Sequence, residues 1–204
     1  MNKEIKLLID NLFLRDNVVY KDKKIFYKKE IDLINNRFSL LTLSARNFKL
    51  DYIKKIVEIF SFPEITEYVF VVGSEKDKDL IIENFKDLNG KVIINPEPSD
   101  VLYSSLKIGL RAISRRANFI ILQFCSLHNI KKETIEILLN KAKESKKDMI
   151  IPVFNKRKGH PIIFKSNLIP IFNSLRKEKG LPYLLKIYKD RIEEVEVLDE
   201  NIFK

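Results

Sequence analysis

Three short segments carry residue types able to do chemistry. The first is Asn95-Pro96, followed by Ser104-Ser105 and then Gly109 in a stretch with helical apolar spacing. A helix start presents unpaired backbone N–H groups and the positive end of the helix dipole, and hydroxyls beside it suit an anionic or polar ligand. Simple capping by Ser99 or Asp100 accounts for the same residues. The second segment is Gly159-His160-Pro161, entered from the basic tip Asn155-Lys156-Arg157-Lys158. Glycine permits close backbone approach to a ligand, and an imidazole can bond it or move a proton near neutral pH. A turn with an exposed histidine is the plainer reading. The third is Ser44-Ala45-Arg46-Asn47-Phe48-Lys49, where Arg46 and Lys49 offer charge to a phosphate. Cys125 has no base beside it in sequence and reads as a small buried hydrophobe. With only His128 and His160 and that one cysteine, a structural Cys/His zinc site is excluded by count. Any metal would be a hard ion held by carboxylates and phosphate.

The elements that must position these residues alternate. Apolar runs at 38–43, 68–72, 92–94 and 119–124 predict strands, and amphipathic stretches at 50–60, 77–88, 101–114 and 132–145 predict the helices between them. Further strands are expected at 149–153, 162–164 and 195–198. Val69-Phe70-Val71-Val72 and Phe119-Ile120-Ile121-Leu122 are apolar throughout, as central strands of a parallel sheet buried on both faces must be. Helical crossovers then imply a doubly wound α/β sheet, whose ligands bind beyond the carboxyl ends of the strands. All three segments fall after such strands. Ahead of this body, residues 3–13 have helical spacing and residues 17–27 read as a hairpin.

Length and composition agree. The 204 residues fit one large domain, and 45% hydrophobic with 32% charged residues is a globular mixture. No apolar run approaches a membrane span. A single cysteine and the lack of a secretory leader point to a reducing, cytoplasmic compartment. The net charge of +10 attracts anions in general, but the lysines are scattered rather than clustered with arginine and aromatics, which disfavours nucleic acid.

In order and spacing, the segments resemble the molybdenum cofactor cytidylyltransferase branch of the MobA-like nucleotidyltransferases. Asn95-Pro96, Ser104-Ser105 and Gly109 fall in register with that pattern, as do Gly159-His160-Pro161 with the apolar strand after it, and Glu178-Lys179-Gly180 ahead of Leu184-Leu185. The resemblance covers residues 38–198. It implies a three-layer, mostly parallel sheet of the nucleotide-diphospho-sugar transferase (GT-A) type, and a domain over 37–204 behind an N-terminal extension of 1–36. It further implies transfer of a nucleotidyl group from a nucleoside triphosphate, with Mg²⁺, to a phosphorylated pterin, and it places His160 beside the acceptor.

The parts that perform the transfer depart from the family pattern. Where the family has a glycine-rich phosphate loop and a lysine, this chain has 40–49 without a glycine, and Phe124-Cys125-Ser126 stands where a metal-binding aspartate is expected. Side chains in that loop obstruct the amide cradle phosphates need, and phenylalanine cannot hold Mg²⁺. The first expectation is a catalytically degenerate protein that keeps a cleft for a nucleotide or pterin-type phosphorylated molecule. Its candidate ligand residues are Ser44, Arg46, Lys49, Asn95, Ser104, Ser105, Gly159 and His160, with no metal ligand. The alternatives are an active Mg²⁺-dependent transferase with Arg46 and Lys49 on the triphosphate and Asp100 or Glu178 on the metal, and a basic nucleic-acid binder.

Overall fold

The computed structural model describes residues 18–21, 24–27, 36–96, 101–174 and 180–204. The expected hairpin is present: β1 (Val18–Lys21) pairs antiparallel with β2 (Lys24–Tyr27). The helix expected at 3–13 lies outside the described residues.

The body is built on β3 (Phe38–Leu43), a strand buried along its whole length. Phe38 and Leu40 enter one core while Leu41 and Leu43 enter the other, so both faces must be covered. On the first face, α1 (Leu50–Ile59), α2 (Glu75–Asn84) and α4 (Lys132–Glu144) supply Ile53, Ile56, Ile81, Ile135 and Leu138. On the second, α3 (Val101–Ala112), α5 (Ile169–Asn173) and α6 (Gly180–Ile187) supply Leu106, Leu110, Phe172 and Leu184. Gly109 lets α3 lie close: a Cβ there would stand 2.4 Å from Leu41 Cδ1 and 2.9 Å from Val71 Cγ2. The result is the three-layer α/β fold that the sequence implies.

The remaining strands are β4 (Ile65–Val72), β5 (Gly90–Ile94), β6 (Phe119–Phe124), β7 (Met149–Phe154), β8 (Arg157–Lys158), β9 (Ile162–Lys165) and β10 (Ile192–Glu196). The sheet runs β10-β7-β9-β6-β3-β4-β5, with β8 paired to β7. Pairings of β3 with β4 and β6, of β4 with β5, and of β7 with β10 are parallel. Strand β9 runs antiparallel to both neighbours. The few residues between β7 and β9 are too short for the helical crossover a parallel return requires, so the chain doubles back. Its tip, Asn155 and Lys156, takes positive φ at both positions, as a tight two-residue hairpin demands.

Two strands differ from the sequence reading. The last strand is β10, three residues earlier than expected, because Ile192 and Val195 are the buried members of the alternation while Leu198 is 88% exposed. Strand β4 begins at Ile65 rather than at 68, and its extra turn contains Glu67, a carboxylate that hides the strand pattern because its burial depends on partners remote in sequence.

Those partners converge from β3, β5 and the segment after α3. Glu67 accepts from Lys91 Nζ at 2.7 Å, Ser39 Oγ at 2.6 Å and the Ser114 backbone at 3.0 Å, and Lys91 also bonds the Ala112 carbonyl at the end of α3. Burial alone would raise the Glu67 pKa; the bonds from Lys91, Ser39 and Ser114 outweigh it and hold the carboxyl below its ordinary 4.5. Removing the carboxylate with Glu67→Ala is expected to cost about 1–3 kcal/mol, the lower range for a buried polar group because Lys91 is half in solvent. A depressed native pKa contributes stability above the unfolded value that is lost as pH falls through the native one. The stability gap between the natural chain and Glu67→Gln, read by urea unfolding, should therefore be constant above about pH 5.5 and shrink as pH falls below 4.5.

Candidate functional site

Strand order reverses at β3, whose chain neighbours lie on one side and β6 on the other. Ligands in such sheets bind in the crevice beyond the carboxyl ends at that point. A cleft of about 220 Å³ opens there, walled by Leu43, Ser44, Arg46 and Asn47 after β3, Phe124 and Ser126 after β6, and Ser105 from α3. Its enclosed part is smaller than the roughly 300–1,000 Å³ usual for a whole small-molecule site and has room for one end of a ligand.

The loop after β3 owes its course to local bonds. Both the backbone and the hydroxyl of Ser44 donate to the Val71 carbonyl, each at 2.9 Å, which folds the loop against β4. Gly73, at the end of β4, makes room: a Cβ on it would meet the Ala45 carbonyl oxygen at 2.4 Å. The glycine that permits a close approach here therefore lies on the neighbouring strand, outside the loop itself. Arg46 and Asn47 are exposed at the cleft.

Asn95 fixes the opposite wall. Its backbone donates to Val72, and its side-chain amide donates to Ser104 Oγ at 2.8 Å and Ser105 Oγ at 2.9 Å. The side chain is buried, so it acts as a tie between the loop after β5 and the first turns of α3. Ser105 reaches the cleft through this tie. Lys49 does not: its ammonium lies 3.1 Å from Tyr52 Oη and 4.8 Å above that ring, which in turn stacks on His128 at 3.5 Å.

Gly159 and His160 line a different cavity. This hollow of about 550 Å³ lies between the turn before β9 and α6, against Ile162, Leu181 and Leu185. Gly159 faces the interior, where a Cβ would meet Ile202 at 2.5 Å, so the glycine serves packing rather than the ligand approach expected of it. The His160 ring packs edge-on against Phe124 at 4.3 Å between centroids. Phe124 thus forms the wall of the first cleft and backs the histidine of the second. Burial lowers the His160 pKa to about 4, against a smaller upward pull from its bond with the Leu122 backbone, and Nδ1 is buried without a hydrogen-bond partner. The imidazole is neutral at physiological pH and makes no charge contact with an anion. Cys125, next to Phe124, is buried and its thiol is pushed up to about 11 by that burial, despite a backbone bond with Lys49.

The Mg²⁺ implied by the sequence resemblance does not fit the residues of the cleft. The described residues that line it offer serine hydroxyls, an amide, a guanidinium and a phenyl ring but no carboxylate. Among the described residues no three His, Cys, Asp or Glu side chains gather at one place. Asp100 and Glu178, the substitute acids suggested by the sequence, lie outside the described residues. Of the polar cleft residues, Asn47 and Ser126 were not among the candidates from the sequence; their only signal there is their place shortly after a buried strand. Much of the basic charge has local partners away from the cleft, as in Lys143 with Glu64, Lys158 with Glu194 and Arg191 with Asp148.

Comparison with known proteins adds the following. The solved structure of Rv0371c from Mycobacterium tuberculosis H37Rv superposes with a TM-score of 0.63 at 13% identity, over 80% of this chain and 89% of that one. The 4-diphosphocytidyl-2C-methyl-D-erythritol synthase of Anaerococcus prevotii DSM 20548 gives 0.60 at 13% identity, over 84% and 92%. A nucleotidyl transferase from Methanothermobacter thermautotroptrophicus gives 0.55 at 15%, over 80% and 88%. At such identities the likeness is one of fold. No curated protein sequence matches the chain. A family model described as MobA-like NTP transferase domain matches residues 53–195.

His160 and Cys125 make measurable statements. In a carbon- or nitrogen-detected NMR titration His160 should remain neutral from pH 7.5 to about 5.5 and titrate near 4; a midpoint near the ordinary 6.5 would mean an open ring. Cys125 should react with a disulfide reagent at pH 8 at least roughly a hundredfold more slowly in the folded chain than in urea, since a thiol at about 11 instead of 9.0 is that much less ionised.

Proposed function

Because the chain belongs to the MobA-like NTP transferase domain family, we propose that its switch-point cleft binds a nucleotide or a related phosphorylated small molecule without carrying out metal-dependent transfer. The observation that supports this is the composition of the cleft wall. Arg46, Asn47 and the hydroxyls of Ser44, Ser105 and Ser126 suit a phosphate or a polar ring edge, and Phe124, which the sequence resemblance aligns with the family's metal-binding aspartate, lines the same cleft.

Nucleotidyl transfer depends almost wholly on positioning and on charge aimed at the transferring phosphate. A site without a carboxylate to hold the ion, and without a glycine loop to bring amides to the triphosphate, keeps recognition and loses most of that stabilisation. Arg46 is the cleft cation, and it can orient an anionic end by bidentate bonding. The domain boundary at residue 37 belongs to the same reading, since the described residues that wall the cleft all come from beyond it.

A second reading, active transfer with substitute residues, is favoured by family membership and by the presence of Arg46 in the cleft. It needs charge from 97–100 or 175–179 to complete the site. A phosphorylated pterin is then one candidate acceptor.

Calorimetric titration with cytidine and guanosine triphosphates, with and without Mg²⁺, separates the two readings. Saturable binding that changes little with Mg²⁺ and weakens about tenfold in Arg46→Ala, a loss of about 1.4 kcal/mol, is expected. Pyrophosphate release in the presence of a pterin acceptor, abolished by Arg46→Ala, would establish the second reading instead. Absence of any nucleotide binding would remove both.

A further inference from the structure

The hollow beside His160 has a chemistry that the nucleotide cleft lacks. At about 550 Å³ it falls within the range of sites that enclose a whole small molecule. Its inner wall is apolar: Ile162 and Leu181 are buried, and Leu185 is half-buried and turned to the opening. Among the described residues that line it none is acidic.

The rim is cationic. Lys158 is held at 2.7 Å by Glu194, which leaves Lys186 and Lys189 as the lysines lining the hollow that form no ion pair with any described residue. They lie at the end of α6 and just after it, one turn apart, so both ammonium groups can reach one anion at the mouth. Helix α6 keeps this geometry because Leu181 and Leu184 anchor it on the sheet while Gly180, at φ +39°, sets its start in a conformation that suits glycine.

We propose that this hollow binds a small amphipathic anion, its short apolar body against Ile162, Leu181 and Leu185 and its phosphate or carboxylate end on Lys186 and Lys189. The inference goes beyond the nucleotide reading and does not rest on it. Inorganic phosphate meets only the two lysines, and an alcohol of the same length meets only the apolar wall; a molecule carrying both gains both contributions. The neutral His160 adds no competing charge inside, so the ligand orients with its charged end outward. The hollow is a concavity of small-molecule volume rather than a flat apolar face, which suits a single dissolved molecule better than a bilayer surface. The Phe124 and His160 rings, in contact at 4.3 Å, make the only partition described between this ligand and the first cleft.

The test uses the full chain with isoleucine and leucine methyl groups labelled for NMR, titrated with octyl phosphate, octanoate, inorganic phosphate and octanol. Octyl phosphate or octanoate should shift the methyls of Ile162, Leu181 and Leu185, with an affinity at least tenfold above that of phosphate and of octanol. The variant Lys186→Gln/Lys189→Gln should lose at least tenfold toward the anions and keep its weak octanol response, and Lys186→Arg/Lys189→Arg should retain binding. The phosphate and carboxylate arms identify the head group. Octyl phosphate and octanoate binding no better than inorganic phosphate, shifts confined to residues outside the hollow, or an unaffected glutamine variant would overturn the proposal. So would sedimentation with phosphatidylglycerol vesicles in the absence of any methyl shift with the soluble probes. Nucleotide titrations report on Ser105 and Ser126 amides, so failure of one reading leaves the other intact.

Discussion

Strand β3 has no exposed residue, and that constraint organises the molecule. A strand buried on both faces needs helices on both sides and parallel neighbours on both edges, which β4 and β6 supply. With the faces closed, openings remain at the strand ends, and at the carboxyl ends the strands part where the chain order reverses. The cleft of Ser44, Arg46, Ser105 and Phe124 is thus a consequence of how one apolar segment is covered. Asn95 and Gly73 then refine it, one by tying down the start of α3 and the other by letting the Ala45 carbonyl settle against β4.

Chemistry follows from what the strand ends carry. The cleft is walled by side chains at and shortly after the strand ends, here serine, arginine, asparagine and phenylalanine. Their hydroxyls, guanidinium and amide are groups that suit an anion or a polar edge. Phe124 has a further effect: packed against His160, it divides the carboxyl end of the sheet into a polar cleft and an apolar, lysine-rimmed hollow. The antiparallel turn that brings β9 back beside β6 places His160 behind that ring, with its Nδ1 buried.

Legibility in the sequence varied with the range of the cause. Strands such as 119–124 and helices such as 132–145 were readable because their signal is local periodicity, and their family pattern was readable because motifs keep their order along the chain. The start of β4 was obscured by Glu67, since nothing near it in sequence announces Lys91, Ser39 and Ser114. The last strand was misplaced because Leu198 looks apolar enough to be buried and is not. At the site, Ser44, Arg46 and Ser105 were readable as residues following strands; the turning of Lys49 onto Tyr52, and of Gly159 onto Ile202, was not.

By itself the sequence determined the α/β class, the position of the cleft after the strands and the absence of glycine and aspartate at two positions where the family pattern has them. These are properties of residue type and spacing, which need no partner. Only the tertiary structure decided that Asn95 is a tie, that His160 is neutral and set apart from the cleft by Phe124, and that Lys186 and Lys189 stand over an apolar hollow. Each of those depends on which distant side chain fills the adjoining space, and packing settles that after the local elements have formed.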